Sequence, residues 1–414
     1  MNSICLYFQV HQPYRLATYR FFDMGTQAPY FDEYANRYIV QQIAEKSYLP
    51  ANEVLLSLIK KYGKDFKVTF SISGIALEQF ERYAPKVIKS FQKLADTGSV
   101  EFLAETYAHS LASLKSKKEF SAQVKMHVKK IRELFGQKPV TFRNTELVYS
   151  NDIGDMVYDL GFRTMLTEGA KHVLGWKSPN LMYCSASNPK LKLLLKNFQL
   201  SDDIAFRFSE QKWSEWPLTA DKFVGWLQQI DPKDEVVNLF MDYEAFGEHQ
   251  RSETGIFDFL KAFPAQAIEK AGMPFKTPAE LSTELQPAAQ LNVPYPISWA
   301  DEERDLTAWL GNEMQDEAFG KLYDLETKIR RLKDDELTRK WHYLQTSDHF
   351  YYMCTKWFSD GDVHKYFNPY NSPYDAFINY MNVLSDLFIK VDDELAAGKV
   401  RKTAQKTAQK TASA

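Results

Sequence analysis

Between positions 242 and 249 this chain gathers Asp242, Glu244, Glu248 and His249, directly behind the run Val236–Met241, which is apolar except for Asn238. A short β-forming run of that kind reads as a strand buried on both faces. Carboxylates are costly to bury unpaired, so a cluster at the end of such a strand needs a partner or a task. Asp242 and Glu244 are two residues apart and project the same way while the chain stays extended. Like charges held close raise one pKa, which makes a general acid that is still protonated near neutral pH. Capping of a following helix, or plain solvation in a loop, is the competing explanation.

Other reactive groups follow other short apolar runs. His11 comes after Ile4–Val10, Glu78 after Phe66–Ile72 and His109 after Val100–Thr106; Glu146 comes after Val140–Phe142 and Glu168 after Arg163–Thr167. Metal hydrolysis lacks a His-Glu-x-x-His motif, although His11, Asp242 and His249 could form a site of the kind found in barrel deacetylases. Serine hydrolysis lacks Gly-x-Ser-x-Gly. Two carboxylates at neighbouring strand ends are what glycoside cleavage uses: one protonates the leaving oxygen, and the other attacks the anomeric carbon or activates water.

The elements that must carry these groups alternate. Helices are expected at Glu53–Tyr62, from Gly74 to Thr97, and at Lys118–Phe135, and then from a Ser150 or Asn151 cap to Leu160, at Ser201–Ser209 and at Thr219–Ile230. Residues 14–50, rich in Tyr, Phe, Asp and Arg without clear periodicity, read as a long loop. Alternating strands and helices argue for a parallel sheet. Polar groups after nearly every strand favour a (β/α) barrel, whose site is built from the loops after the strands, over an open sheet with a single crevice. Neither Gly-x-Gly-x-x-Gly nor a Walker-type glycine loop is present. From Ser298 the texture becomes helical, with patterns at Glu313–Leu332, Asp335–Tyr352 and Tyr374–Ala397. The expected organisation is a barrel over 1–290, a helical bundle over 291–396 and a low-complexity flexible tail over 397–414.

With 44% hydrophobic and 25% charged residues among 414, the composition is that of a globular protein. Lys+Arg 51 against Asp+Glu 54 points to neither nucleic acid nor an anionic membrane as a partner. Cys5, Cys184 and Cys354 are far apart, without metal-ligand spacing or a disulfide framework. No apolar stretch approaches the roughly 20 residues of a membrane span, and the N-terminal residues lack a signal-peptide pattern. A cytoplasmic protein is expected.

Five separated motifs then resemble glycoside hydrolase family 57, in its α-amylase-like branch. They are His11-Gln12-Pro13; Ser73-Gly74 with Glu78-Gln79; Arg143-Asn144-Thr145-Glu146; Met241-Asp242-Tyr243-Glu244-Ala245-Phe246-Gly247-Glu248-His249; and Ser298-Trp299-Ala300-Asp301 through Gly311-Asn312. The resemblance implies an incomplete (β/α)7 TIM-like barrel followed by a C-terminal α-helical domain that completes the cleft. It implies retaining, endo-acting cleavage of α-1,4-glucans or maltooligosaccharides, with no metal or organic cofactor. Glu146 falls on the nucleophile position and Asp242 on the general acid/base position. His11, Glu78, Glu244, Trp299 and Asp301 match substrate-binding positions, and His249 is a further contact. A 4-α-glucanotransferase or branching activity on the same scaffold, or a catalytically silent glucan-binding protein, stays open. Arg143 stands where some members carry a tryptophan, and Ala245 where related sequences often have threonine; neither change removes a reacting group.

Overall fold

The structure is a computed structural model that describes the backbone of residues 2–356 and 368–412, and side chains within that range up to 398. Its first strand, β1 (Ser3–Val10), is buried along its whole length and so needs a partner on each edge. It finds β2 (Val68–Ile72) on one side, and β2 in turn pairs with β3 (Val100–Phe102). A second parallel run joins β4 (Thr141–Arg143), β5 (Thr164–Glu168) and β7 (Lys192–Lys196). The other edge of β1 is taken by β8 (Val236–Asp242), in a register that sets Gln9 opposite Asp242.

The two runs meet at two seams. At one, Ala104 bridges Phe142, its N–H donating to the Thr141 carbonyl (3.0 Å) while Arg143 N–H donates to the Ala104 carbonyl (2.9 Å). At the other, Asn197 N–H donates to the Asn238 carbonyl (2.9 Å) and Asn238 Nδ2 donates to the Leu195 carbonyl (2.9 Å). The circuit β1-β2-β3-β4-β5-β7-β8-β1 is a seven-stranded parallel barrel with two thin joints, as expected from the motifs. The second joint is thin for a visible reason: the short strand β6 (Tyr183–Ser185) pairs antiparallel with the first half of β7, and β9 (Ala289–Leu291) extends the sheet beyond it. Helices cover the barrel. The one at Pro85–Ala95 buries Val87, Ile88, Phe91 and Leu94, with the Phe91 ring edge-on to Phe70 at 5.2 Å.

Two expectations are corrected. Residues 14–50 are not one long loop: Glu33–Ile43 is an α-helix that continues through a π-helical turn, Ala44–Tyr48, into Leu49–Tyr62. Its buried face, Asn36, Val40 and Ile43, has helical spacing but opens on a polar residue, which hid the period. The helix expected from Gly74 to Thr97 is two helices, Gly74–Tyr83 and Pro85–Ala95, because Pro85 cannot continue the first.

The chain forms two compact units: residues 1–12, 34–109 and 120–306, and residues 13–33, 110–119 and 307–414. The stretch 291–306, with Trp299 and Asp301, therefore clusters with the barrel. The second unit is helical, with Glu313–Asp324, Glu326–Leu332, Asp335–Leu344 and Ser347–Tyr351 beside the long helix Pro373–Ala412. Asp386 on that helix accepts from the Tyr30 hydroxyl (2.5 Å) and from Gly25 N–H (2.6 Å), which fastens the inserted segment 13–33. The Lys-Thr-Ala-Gln repeat continues the helix in its backbone to Ala412, consistent with its Ala, Lys and Gln content, and its side chains from 399 on lie outside the described residues. No helix among the described residues is long and apolar enough to cross a membrane.

Asn238→Ala removes the side chain that bonds Leu195 across the second joint. It is expected to lower stability by about 1–3 kcal/mol, the cost of leaving a buried group unsatisfied. A shift in the urea midpoint at unchanged m-value checks this; an unchanged midpoint would show that the joint does not depend on that bond.

Candidate active site

Because every barrel strand runs the same way, the groups at the strand C-terminal ends collect at one mouth. At the end of β8, Tyr243 turns into the core against Phe8 (ring centroids 4.8 Å), which leaves Asp242 and Glu244 on either side of it. Glu244 is buried and accepts from the Tyr48 hydroxyl and from Gln12 Nε2 (3.3 Å). Burial, and then the charge of Asp242, pushes its carboxyl up to about 8. Tyr48 comes from the π-helical turn, so the irregularity in that helix lies where it supports the site. Asp242 is pushed up to about 6, first by burial and then by Glu146, against the opposing pull of Arg143, His109 and Lys196.

After β4 the backbone enters the left-handed region at Glu146 (φ 57°) and Leu147 (φ 53°). This costs free energy in non-glycine residues and persists only where surrounding contacts enforce it. Here they do. Tyr149 and Ile297 exchange both backbone hydrogen bonds (3.0 and 2.9 Å), and Trp299 N–H donates to the Glu146 carbonyl (3.2 Å). Trp299 Nε1 then donates to Glu146 Oε2 (2.7 Å), while His109 Nε2 lies 3.4 Å from Oε1. The indole itself is flanked by two cations, the Arg143 guanidinium 4.8 Å and the Lys196 ammonium 5.3 Å from its centroid.

Beyond β3, His109 is buried, with Nδ1 2.9 Å from Glu105 Oε2. Burial pulls its imidazole down, but the bonds to Glu105 and Glu146 outweigh that and lift it to about 9. His11 stacks on the His109 ring at 4.0 Å and shares a hydrogen bond with Ser73 Oγ (2.7 Å). Glu78 accepts from the Tyr107 hydroxyl (2.6 Å), and the Tyr107 ring packs where a side chain on Gly74 would stand, 2.3 Å from an added Cβ. His249 follows the turn, its N–H donating to the Glu244 carbonyl (2.9 Å), and burial pulls its imidazole down to about 4. Asp301 occupies a left-handed turn (φ 55°) two residues past Trp299. Among the described residues no group of three His, Cys, Asp or Glu side chains is placed to hold a metal ion.

Glu146, Asp242 and His11 thus meet around His109, and Trp299 joins them through Glu146. Glu244 and Glu78 each have a tyrosine partner, and His249 and Asp301 sit on adjoining turns. Sequence reasoning noted His109 and Glu168 only as polar residues after strands and did not single out Glu105, Lys196, Asp202 or Arg304. Lys196 (2.9 Å) and Arg304 (3.3 Å) both pair with Asp202, and both approach buried Glu168, at 4.0 and 3.9 Å. Arg304 also donates to the Trp299 carbonyl, so this network buttresses the indole. Burial pushes Glu168 up to about 7. Only the i,i+4 spacing of Glu105 and His109 hinted at their pairing in the sequence.

A carboxylate with donors at both oxygens, beside one lifted toward neutrality, at the mouth of a parallel barrel, marks the molecule as a glycosidase. The chain belongs to glycosyl hydrolase family 57, whose family model matches residues 5–294. It is 42% identical over 411 residues to a Methanocaldococcus jannaschii protein named "Putative alpha-amylase", covering 96% of this chain and 87% of that one. Among solved structures it resembles the Thermococcus kodakaraensis branching enzyme of the same family (TM-score 0.63, 13% identity, 95% of this chain and 94% of that one). It also resembles the Thermococcus litoralis 4-alpha-glucanotransferase (TM-score 0.61, 15% identity, 84% of this chain), of whose longer chain it spans 56%. At those identities the two structures speak for the fold.

Glu244 offers a test of the buried charge. Its folded pKa of about 8 lies above the unfolded value of about 4.3. Between these values the folded state holds an extra proton, so stability falls as pH rises through that window. Glu244→Gln removes the titration and is expected to be more stable than the native protein at pH 9, the margin closing toward pH 5. Urea unfolding at both pH values checks it, and an equal margin at the two would contradict the shift.

Proposed function

We propose that this protein is a retaining, endo-acting α-glucan hydrolase, cleaving α-1,4-glucosidic bonds in maltooligosaccharides and longer glucans. The observation that carries the reading is the opposed state of two neighbouring carboxyls. Glu146 is met by Trp299 Nε1 and His109, as suits an ionised nucleophile, while Asp242 is lifted to about 6, as suits an acid. The 42% identity to the archaeal protein named as an alpha-amylase supports the substrate class. The three free, buried cysteines suit a reducing compartment and support a cytoplasmic place of action.

In the first step Glu146 attacks the anomeric carbon and the glycosidic C–O bond breaks. Asp242 gives its proton to the departing oxygen, leaving a β-glycosyl ester on Glu146. In the second, Asp242 takes a proton from water, whose oxygen displaces Glu146 and restores the α-configuration. His11, Glu78, Glu244, His249, Trp299 and Asp301 line the approach as contacts for sugar hydroxyls and ring faces. A 4-α-glucanotransferase or branching reaction shares the same ester and differs in the acceptor.

Anomeric-proton NMR of maltoheptaose with the purified protein tests this. Shorter oligosaccharides should appear first as the α-anomer and vanish with Glu146→Ala, and Asp242→Asn should cost about 10²–10⁴-fold in kcat. First-formed β-anomers would refute retention, products longer than the substrate would move the assignment to a transferase, and glucan binding without turnover would make it a binding protein. Because Asp242 must be protonated, kcat/KM is expected to fall as pH rises past about 6; a profile flat from pH 5 to 8 would contradict its role as acid.

A further inference from the structure

We infer that Glu105 is a positioning residue for this reaction. Buried behind His109, it holds that imidazole as a cation against Glu146 and so presents Glu146 as an ionised, fixed nucleophile. The inference rests on the reading of Glu146 given above.

Glu105 is fully buried, so it does not itself reach a substrate. It accepts from Gln9 Nε2 at 3.1 and 3.4 Å and meets His109 Nδ1 at 2.9 Å. A buried carboxylate needs a counter-charge, and two histidines are candidates. His127, on the helix Lys117–Phe135, takes the Glu105 backbone N–H on Nδ1 (3.3 Å), so that nitrogen carries no proton, and its Nε2–H donates to the Ile72 carbonyl (2.8 Å). His127 is thereby fixed as a neutral tautomer. His109 has a carboxylate at each nitrogen, Glu105 at Nδ1 and Glu146 at Nε2. A neutral ring would turn a lone pair toward one of them, whereas the imidazolium gives each an N–H.

The buried Tyr7 also lies in the field of Glu105 and donates to Gln9, whose amide in turn donates to Glu105. Arg143 favours the charged form of Glu105, and Asp242 shares the field of His109 and Arg143. His11 lies flat on the His109 ring, with Nδ1 bound to Ser73. The backbone points the same way. Both His109 (φ 50°) and Glu146 (φ 57°) are held in the left-handed region, where non-glycine residues remain only under enforcing contacts. No proton passes through His109. As Asp242 loses its proton in the first step and regains it in the second, the fixed positive charge beside Glu146 keeps that carboxyl ionised and available for attack, and then favours its departure as a carboxylate.

The test is Glu105→Gln, which keeps the shape and removes the charge. With histidine ¹⁵N-labelled and the His109 signals assigned from their loss in His109→Asn, the native protein should show both His109 nitrogens protonated at pH 8. In Glu105→Gln the ring should titrate about two units lower, from about 9 toward the ordinary 6.5. Turnover is then followed with α-maltosyl fluoride, whose leaving group needs little help from Asp242. At pH 8 the variant should be about 10-fold slower than the native protein, following the protonated fraction of His109, and should converge on it toward pH 6; Glu105→Asp should recover most of the loss. A neutral His109 in the native protein at pH 8 overturns the inference, and so does a variant whose His109 titration or fluoride profile is unchanged. If Glu105→Gln fails to fold, the native titration and Glu105→Asp still decide. The NMR measurement needs no turnover, so a protein inert on every glucan refutes the proposed function while the ion pair is judged separately.

Discussion

The hydrogen bond from Trp299 Nε1 to Glu146 Oε2 joins residues 153 positions apart, and much of the site hangs on it. It holds the segment 297–299 along the loop after β4 and seats an indole over the barrel mouth. Two cations, Arg143 and Lys196, rest against that indole. A cation near an aromatic ring gains more when both are withdrawn from water, so burial and attraction reinforce each other here. The same two cations draw down the carboxyl of Asp242, which burial and Glu146 push up. One assembly therefore orients Glu146 and offsets part of the upward shift on Asp242.

The site also shows why two carboxyls on one short stretch are shifted to different extents. Asp242, at the end of a strand, faces Glu146 and a set of cations. Glu244, two residues on, is turned toward Tyr48 and Gln12, and its carboxyl is raised by burial and then by Asp242 against the hydrogen bonds from those two side chains. Their pKa values separate because the 3-10 turn at Tyr243–Ala245 sends them into different surroundings.

Much of the framework was legible in the chain itself. Buried strands announce themselves as apolar runs, and β1, β2, β5 and β8 lie within a residue or two of the runs that suggested them. The clustering of His11, Glu146 and Asp242 was legible because a parallel barrel brings the groups after its strands to one mouth. The Glu33–Ile43 helix was not, because its inward face includes Asn36 and its outward face carries exposed tyrosines such as Tyr34 and Tyr38. Nor was the Glu168–Lys196–Asp202–Arg304 network, whose members come from separate segments and are defined only by their mutual distances. Glu105 was hidden for a simpler reason: it falls inside what reads as the tail of a strand, and the backbone leaves the ladder after Phe102.

The placement of β1 has a consequence for synthesis. Its ladder with β8, from Ser3 opposite Val236 to Gln9 opposite Asp242, is among the longest in the barrel and spans most of the unit in sequence. Loop closure on that scale carries an entropy cost before the contact returns anything, and it slows folding relative to local pairing. During translation one edge of β1, an apolar strand, stays without its ladder until more than 230 further residues have been made. A nascent chain in that state presents an unpaired hydrophobic edge, the kind of surface that chaperones cover and that aggregation exploits. The strand that opens the barrel is also among the last to be fully enclosed.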